Sequence, residues 1–300
     1  MIKKLFNKVS EKLAAKTSGN IKRLSDDFEK LSTEAKNQAV SQKILSQLYR
    51  ETARNSRDVL PSFSDVGFRK YSQFEEDGIL LYIFSLIQPR TRICVEICAG
   101  DGTECNTANL IINHGWWGHL FDGDTGNVLA GREFYSNLKD TGLYPPRFTS
   151  AWITAENVND LLLESGAAGP IDLLSLDIDG MDYWVWKAIK VIDPIVVVCE
   201  THNPIPPDMA LTVPYKSDFV CESDNFRGAS LAAMTKLGRS KGYRLVGTHR
   251  YGFNAFFVKD GFGDEYLPEV DVASCVQDPF SVLARRERWP DAEKFGWQKV

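Results

Sequence analysis

The stretch VEICAGDGTECNTANL, Val95 to Leu110, decides how this chain is read. An apolar run carrying the acid Glu96 gives way to two glycines one residue apart, Gly100 and Gly102, and then to a segment patterned as a helix. Glycine lets the backbone bend sharply and approach a ligand with no Cβ in the way. A helix starting near Glu104 to Asn106 turns its free N–H groups toward the same corner, which favours a carboxylate there. A structural turn would use the same glycines, so the surrounding chain has to decide.

Outward from this corner, apolar β-rich runs alternate with helical patterns. RICVEICA, WGHLFD, PRFTSAWIT, IDLLSLDI and PIVVVCE read as five strands. NTANLIINHG, Gly126 to Leu138, NVNDLLLESG and DYWVWKAIKV read as the helices between them, followed by the helix GASLAAMTKLGRSKG and a closing pair, YRLVGTH and NAFFVKD. Near-continuous apolar strands separated by helices predict a parallel sheet covered on both faces. Ligands of such sheets bind beyond the carboxyl ends of the strands. Those ends carry Glu96 to Gly102, Asp122 to Asp124, Thr154 to Asn157, Asp177 to Asp182 and Glu200 to Asn203.

The glycine loop is neither GxGxxG, since Cys105 stands at the third position, nor a Walker A loop, since no Gly-Lys-Ser/Thr follows. It resembles the first motif of class I S-adenosylmethionine (SAM) methyltransferases, acid-x-Gly-x-Gly-x-Gly, with Glu96 as the acid, Gly100 and Gly102 as the later glycines, and Cys98 in place of the first. On this reading Glu96 attracts the ammonium end of SAM through water, and Asn106 and Thr107 add hydrogen bonds. Asp122, 26 residues after Glu96, accepts two hydrogen bonds from ribose hydroxyls, with Asp124 as the alternative. Asn157 is placed for the adenine edge.

Tyr71 to Asp260 resembles the FkbM-type branch of these enzymes and its relatives. The strings that carry the likeness are YSQFEEDGIL, VEICAGDGTECNTANLI, GWWGHLFDGD, AWITAENVNDLL, DLLSLDIDGMDYWVWKAI, VVVCETHNPIPP and GASLAAMTKLGRSKGYRLVG. The resemblance implies a class I methyltransferase (Rossmann-like) α/β three-layer sandwich: a mostly parallel seven-stranded sheet with an antiparallel closing strand. It also implies methyl transfer from SAM to a hydroxyl of a sugar, glycan or small metabolite, with Ser72 and Gln73 near the methionine end. Cys98, and His202 in CETHNP, depart from the family pattern.

A hydroxyl acceptor must lose its proton to a base or through a metal. Asp177, Asp179 and Asp182 gather at one strand end, and Glu200 and His202 at the next. Either His202 or a carboxylate serves as base, or Asp177 and Glu200, with Asp179 or His202, bind Mg²⁺, which prefers hard oxygen ligands. Asp179 and Asp182 also read as helix caps. HNPIPP follows the fifth strand and ends in Pro-Asp, which argues against methylation of a base or amide. Trp184 and Trp186, two residues apart, cannot share a helical face and read as core, with Tyr183 or one of them as an alternative sugar platform. His249 and Tyr251 fall between the last two strands.

The totals exclude little. The chain has 300 residues, 43% hydrophobic and 25% charged, with a net charge of -5, which gives no pull toward nucleic acid. Its six cysteines form no C-x-x-C pair and read as buried, reduced thiols. No apolar stretch is long enough to span a bilayer, and the expected location is cytoplasmic. Residues 1–60 have no Trp or Pro and read as a helical arm, 61–300 as the methyltransferase domain. In the arm, Ile2, Leu5, Phe6, Val9 and Leu13 form one stripe, Ile21, Leu24, Phe28, Leu31 and Ala35 a coiled-coil-like one, and Ile44, Leu45 and Leu48 continue it. The arm packs on its own domain, builds a homo-oligomer, or rests weakly on a membrane surface. The alternative to a methyltransferase is an inactive module whose arm binds a partner.

Overall fold

The computed structural model describes residues 39–55 and 60–300. The chain divides into two compact units, Met1–Leu48 and Tyr49–Val300. Of the first, residues 39–48 are described, as part of a helix over 39–55 (α1) on which Ile44 and Leu48 are exposed. The stripes from Ile2 to Leu13 and from Ile21 to Ala35 lie outside the described residues, and with them the self-association and membrane-surface readings.

In the second unit the elements run α2 (Phe63–Val66), α3 (Glu76–Ile87), β1 (Ile93–Ile97), α4 (Ala108–His114), β2 (Trp117–Asp122), α5 (Thr125–Asn137), β3 (Arg147–Ser150), α6 (Val158–Ser165), β4 (Gly169–Leu176), α7 (Asp182–Ala188), β5 (Ile192–Glu200), β6 (Leu211–Thr212), α8 (Leu231–Ser240), β7 (Tyr243–Thr248), β8 (Asn254–Lys259), a 3-10 turn (Ser274–Val276), α9 (Pro279–Ala292) and β9 (Gln298–Lys299). Seven strands form one sheet in the order β3-β2-β1-β4-β5-β8-β7. The first five pair in parallel, and β8 inserts antiparallel between β5 and β7. This is the mostly parallel seven-stranded sheet with an antiparallel closing strand that the resemblance implied. An antiparallel ribbon of β6 and β9, two residues each, was not expected.

The strands are largely apolar because the sheet is covered on both faces; Glu96, His119, Asp172 and Ser175 are buried polar exceptions in β1, β2 and β4. Side chains alternate along a strand, and here they alternate between two cores. Val95, Phe121, Leu174, Val197 and Phe257 face one core with α6, α7 and α8. Cys94, Leu120, Leu173, Val196 and Phe256 face the other with α3, α4 and α5. Trp186 belongs to the first core, packed on Phe257 and Tyr243. Trp184 is partly buried and donates Nε1–H to the Val213 carbonyl. Tyr49 of α1 meets Tyr82 of α3 edge-on at 4.9 Å. Asp172, fully buried in β4, accepts the backbone N–H groups of Arg90, Thr91 and Arg92. It thereby fixes the entry to β1. Among the described residues no helix is long and apolar enough to cross a membrane.

The two loop glycines are required for different reasons. Both have positive φ, 56° at Gly100 and 72° at Gly102. A Cβ on Gly100 would meet nothing within 4 Å, whereas one on Gly102 would lie 2.7 Å from Tyr135 and 2.8 Å from Phe148. Gly102 is therefore a packing glycine beneath the aromatic core of α5 and β3, and the expectation that it approaches a ligand is corrected. Gly102→Ala should lower stability by about 1–3 kcal/mol, since overpacking adds to the strain of a left-handed residue. Thermal melting should show this loss, and an unshifted midpoint would contradict the packing account.

Candidate functional site

Glu96 sets the corner after β1. Its buried carboxylate accepts the Asn106 N–H at 2.8 Å and the Ser175 hydroxyl at 3.1 Å on Oε1. Oε2 takes the Thr107 N–H at 2.8 Å and the Thr107 hydroxyl at 2.5 Å. A carboxylate has about four acceptor positions, and the chain itself fills them. Glu96 is thus a brace between β1, β4 and the start of α4. The expected approach to an ammonium group is corrected, because Glu96 is 3% exposed and spent. Thr107 is fully buried and engaged in the same brace. Asn106 is buried and donates its side chain to Ser175 at 3.0 Å. The Thr107 hydroxyl and the Asn106 amide nitrogen are thus engaged within the chain, and α4 begins at Ala108 rather than near Glu104.

Asp122, at the end of β2, holds the open side of the corner. Its Oδ2 accepts the Gly100 N–H at 2.9 Å, and its Oδ1 accepts Asp124 N–H at 2.8 Å and Asn127 Nδ2 at 3.1 Å. One acceptor position remains of about four. Asp124 caps α5 by accepting the N–H groups of Gly126 and Asn127 on Oδ1. Both acids line a cavity of about 400 Å³. Its walls come from the ends of β1 (Ile97, Cys98), β2 and β3 (Ala151, Trp152, Ile153), from Ile178 and Met181 after β4, and from Ser217 and Phe219 of a long loop. The Trp152 indole donates to the Ser217 carbonyl at 2.8 Å, tying that loop across the mouth. Phe219 covers Gly180, whose missing side chain makes room for the ring. Cys98 adopts φ 64°, the left-handed backbone at the position where the resembled motif has glycine. It is exposed, which corrects the expectation that it is a buried thiol.

The acidic residues after β4 and β5 converge. One carboxylate oxygen each of Asp177, Asp179 and Glu200 lies within 4.8 Å of the others. The intervening turn explains the placement. Asp182 is buried and accepts the N–H groups of Ile178 at 2.9 Å and Gly180 at 3.1 Å. That turn puts Asp179 in the left-handed region, φ 52°, which aspartate tolerates better than most residues. The guanidinium of Arg227 lies between Asp179 and Glu200, with Nη1 on Asp179 and Nη2 3.0 Å from Glu200 Oε1. Burial, and then the charge of Asp182, pushes Asp177 up to about 7, with Arg227 pulling it down. Burial likewise raises Asp182 to about 6, and lifts Glu200 well above its ordinary value with Asp177 next in effect. Asp177 donates its backbone N–H to the Ile97 carbonyl at 3.4 Å, and Ile97, Ile178 and Met181 line the cavity, so the acidic group adjoins it.

Three expected site residues are not brought into these groups. His202 is buried against Trp297, with ring centroids 5.8 Å apart. Burial and then Arg288 lower it to about 4, so it is neutral and faces the C-terminal segment, apart from the carboxylates. Asn157 spends its side chain on the Thr154 N–H and the Trp152 carbonyl. It shapes the turn after β3 and does not line the cavity. Gln73 is exposed in the turn before α3, also outside the lining. His249 is fully buried, with Nε2 3.4 Å from Glu76 Oε1. Sequence reasoning missed Arg227, and the cavity walls Trp152, Met181 and Phe219. The Arg-Gly step after a polar loop was the one signal for Arg227.

No family model and no curated protein matches the chain. Among solved structures it is similar to magnesium protoporphyrin IX methyltransferase from Synechocystis with bound SAM, at 11% identity and TM-score 0.40 over 62% of this chain and 78% of that chain. It is also similar to a SAM-dependent methyltransferase from Clostridium acetobutylicum, at 10% identity and TM-score 0.40 over 73% and 100%. A third is the CcbJ methyltransferase from Streptomyces caelestis, at 12% identity and TM-score 0.38 over 70% and 97%. At these values the likeness bears on neither residues nor substrate.

If Glu96 is a brace, Glu96→Gln should act on stability. The amide NH₂ would face N–H donors where an oxygen now accepts, leaving buried donors unpaired at about 1–3 kcal/mol. A denaturant titration measures this, and a variant as stable as the parent would remove the bracing role.

Proposed function

We propose that this chain is a SAM-dependent methyltransferase of the FkbM type that methylates a hydroxyl on a sugar, a glycan or a small metabolite. One juxtaposition carries the reading. A cavity walled by Asp122 and Asp124 adjoins, through Ile97 and Ile178, a carboxylate, Asp177, whose proton affinity burial raises.

The residues present fit the cofactor. The space beyond Gly100 is empty for at least 4 Å, and about 400 Å³ lies in the usual range for small-molecule pockets. Asp122 offers its remaining acceptor position, and Asp124 its second oxygen, to the ribose hydroxyls. Trp152, Ile153, Met181 and Phe219 supply apolar walls for the base. SAM supplies a methyl group on a positively charged sulfur that leaves readily, so positioning does much of the catalysis. Asp177 would accept the proton of the acceptor's hydroxyl, leaving that oxygen's electron pair free for the methyl group that SAM would supply. A base with a proton affinity near the working pH suits this task. The base is assigned to Asp177 rather than His202, which faces another part of the fold. Asp177, Asp179 and Glu200 are a hard-oxygen set of the kind Mg²⁺ takes. Arg227 already pairs with two of the three, so as it stands the group does not fit the ion, and no step runs through a metal.

Calorimetric titration with SAM tests the donor site first, and absence of binding would sink the reading. Asp122→Asn should weaken binding by about 1–3 kcal/mol, the cost of a poorer partner for buried hydroxyls. For the chemistry, the deprotonated form of Asp177 is the active one. Its raised value therefore makes kcat/KM climb with pH and level off above about 7. The midpoint belongs to the coupled carboxylates, Asp182 and Glu200 included. Asp177→Asn should remove that limb and slow turnover by about 10²–10⁴-fold while sparing SAM affinity. A variant that turns over normally would exclude Asp177 as base.

A further inference from the structure

We propose that Arg227 is the built-in cation of the acidic site, holding the place a divalent metal would take and positioning Glu200 and Asp179 beside the acceptor. The role beside the acceptor rests on the function proposed above; the occupancy of the site does not.

Three observations converge. First, the guanidinium bridges two carboxylates from different strand ends, Asp179 after β4 and Glu200 at the end of β5. Its charge also acts on the third, Asp177. A planar fork with several fixed N–H donors can bridge in this way, and its charge is permanent at any physiological pH. Second, the Glu200 end of the bridge is buried, while Asp179, 63% exposed, meets the guanidinium at the solvent edge. The Arg227 side chain is 24% exposed and that of Glu200 9%. Glu200 Oε2 and Arg227 Nε are both buried without a hydrogen-bond partner. An uncompensated carboxylate is costly in such a place, so removing the guanidinium would leave three acidic groups and an orphaned oxygen in want of a cation.

Third, Arg227 is mounted rigidly. The next residue, Gly228, is left-handed at φ 61°, and its carbonyl accepts the Val213 N–H at 3.0 Å. Ala229 pairs with Thr212 in an isolated antiparallel bridge and accepts the His202 N–H at 2.8 Å. Ser230 then caps α8. The guanidinium thus projects from a point tied to β6, α8 and the end of β5. On the other side, Arg288 fixes the loop through Asn225 at 2.9 Å. The same loop wall carries Ser217 and Phe219 over the cavity, so the bridge also helps to hold the donor-side wall in place.

A divalent ion and Arg227 compete for the same oxygens. Two cations in one small group would repel each other strongly at low local dielectric, so the site accepts one of them.

Binding of Mn²⁺ to the full chain, followed by electron paramagnetic resonance, tests this without SAM or acceptor. The parent protein should show no site in this group. Arg227→Met, which keeps the length and removes the charge, should gain one Mn²⁺ site, tighter than any in the parent by an order of magnitude or more. That site should vanish in the double variant Arg227→Met with Asp179→Asn. Arg227→Lys keeps one charge without the fork and should still exclude the ion, which covers the case of a misfolded Met variant; circular dichroism reports the fold. Tight Mn²⁺ binding by the parent that Asp179→Asn abolishes would overturn the proposal. So would a folded Arg227→Met protein that gains no site. Neither result depends on methyl transfer, so the proposal can fail while the enzymatic reading stands.

Discussion

The buried carboxylate of Glu96 holds the carboxyl end of the sheet together. It ends no chain of contacts to solvent; it collects donors from the start of α4 and from Ser175 of β4 and returns them to β1. Beyond that knot, the backbone from Cys98 to Gly102 turns through the left-handed region at three alternate residues, Cys98, Gly100 and Gly102. Asp122 then catches Gly100 from the neighbouring strand. Two acids from adjacent strands thus fix one short loop, one from beneath and one from the side. The cavity is the space that remains above it.

On the other half of the sheet end, charge rather than backbone geometry organises the site. Asp177, Asp179, Asp182 and Glu200 crowd together where β4 and β5 stop. Each is made tolerable differently. Asp182 receives backbone N–H groups, and Asp179 and Glu200 share a guanidinium. Asp177 has neither support, and burial makes it, like Asp182 and Glu200, hold its proton more firmly. Inserting β8 antiparallel beside β5 contributes to this crowding. It brings the β7–β8 turn back over the strand ends, where Thr201 donates to the Phe253 carbonyl and Asn254 reaches Glu76.

The strands were legible because a strand buried on both faces has to be largely apolar; the run from Ile195 to Cys199 satisfies that throughout, and Ile93 to Ile97 does so apart from Glu96. Acids at the strand ends were legible for the same reason, since they interrupt those runs. What each acid does was not. Glu96 and Asp122 look alike in sequence, yet the first is consumed by the chain and the second keeps one acceptor position in a cavity wall. That difference is set by Thr107 and Ser175, which only the fold brings near Glu96. Gly100 and Gly102 are likewise indistinguishable until Tyr135 and Phe148 arrive beneath one of them. Arg227 meets Asp179 across 48 residues of chain, with no periodicity to announce it. The ribbon of β6 and β9 is too short to show a period at all.

Cys98 replaces a residue type that would carry no side chain there, and it places a thiol at the lip of the cavity. Crowding by the surrounding protein, and then the carboxylates of Asp122, Asp182 and Asp177, keep that sulfur protonated. Uncharged alkylating reagents would therefore label it slowly, and anionic ones more slowly still. Attached at that point, a small fluorophore would sense anything that fills the hollow, giving an optical reporter of occupancy at a position where glycine would offer no handle.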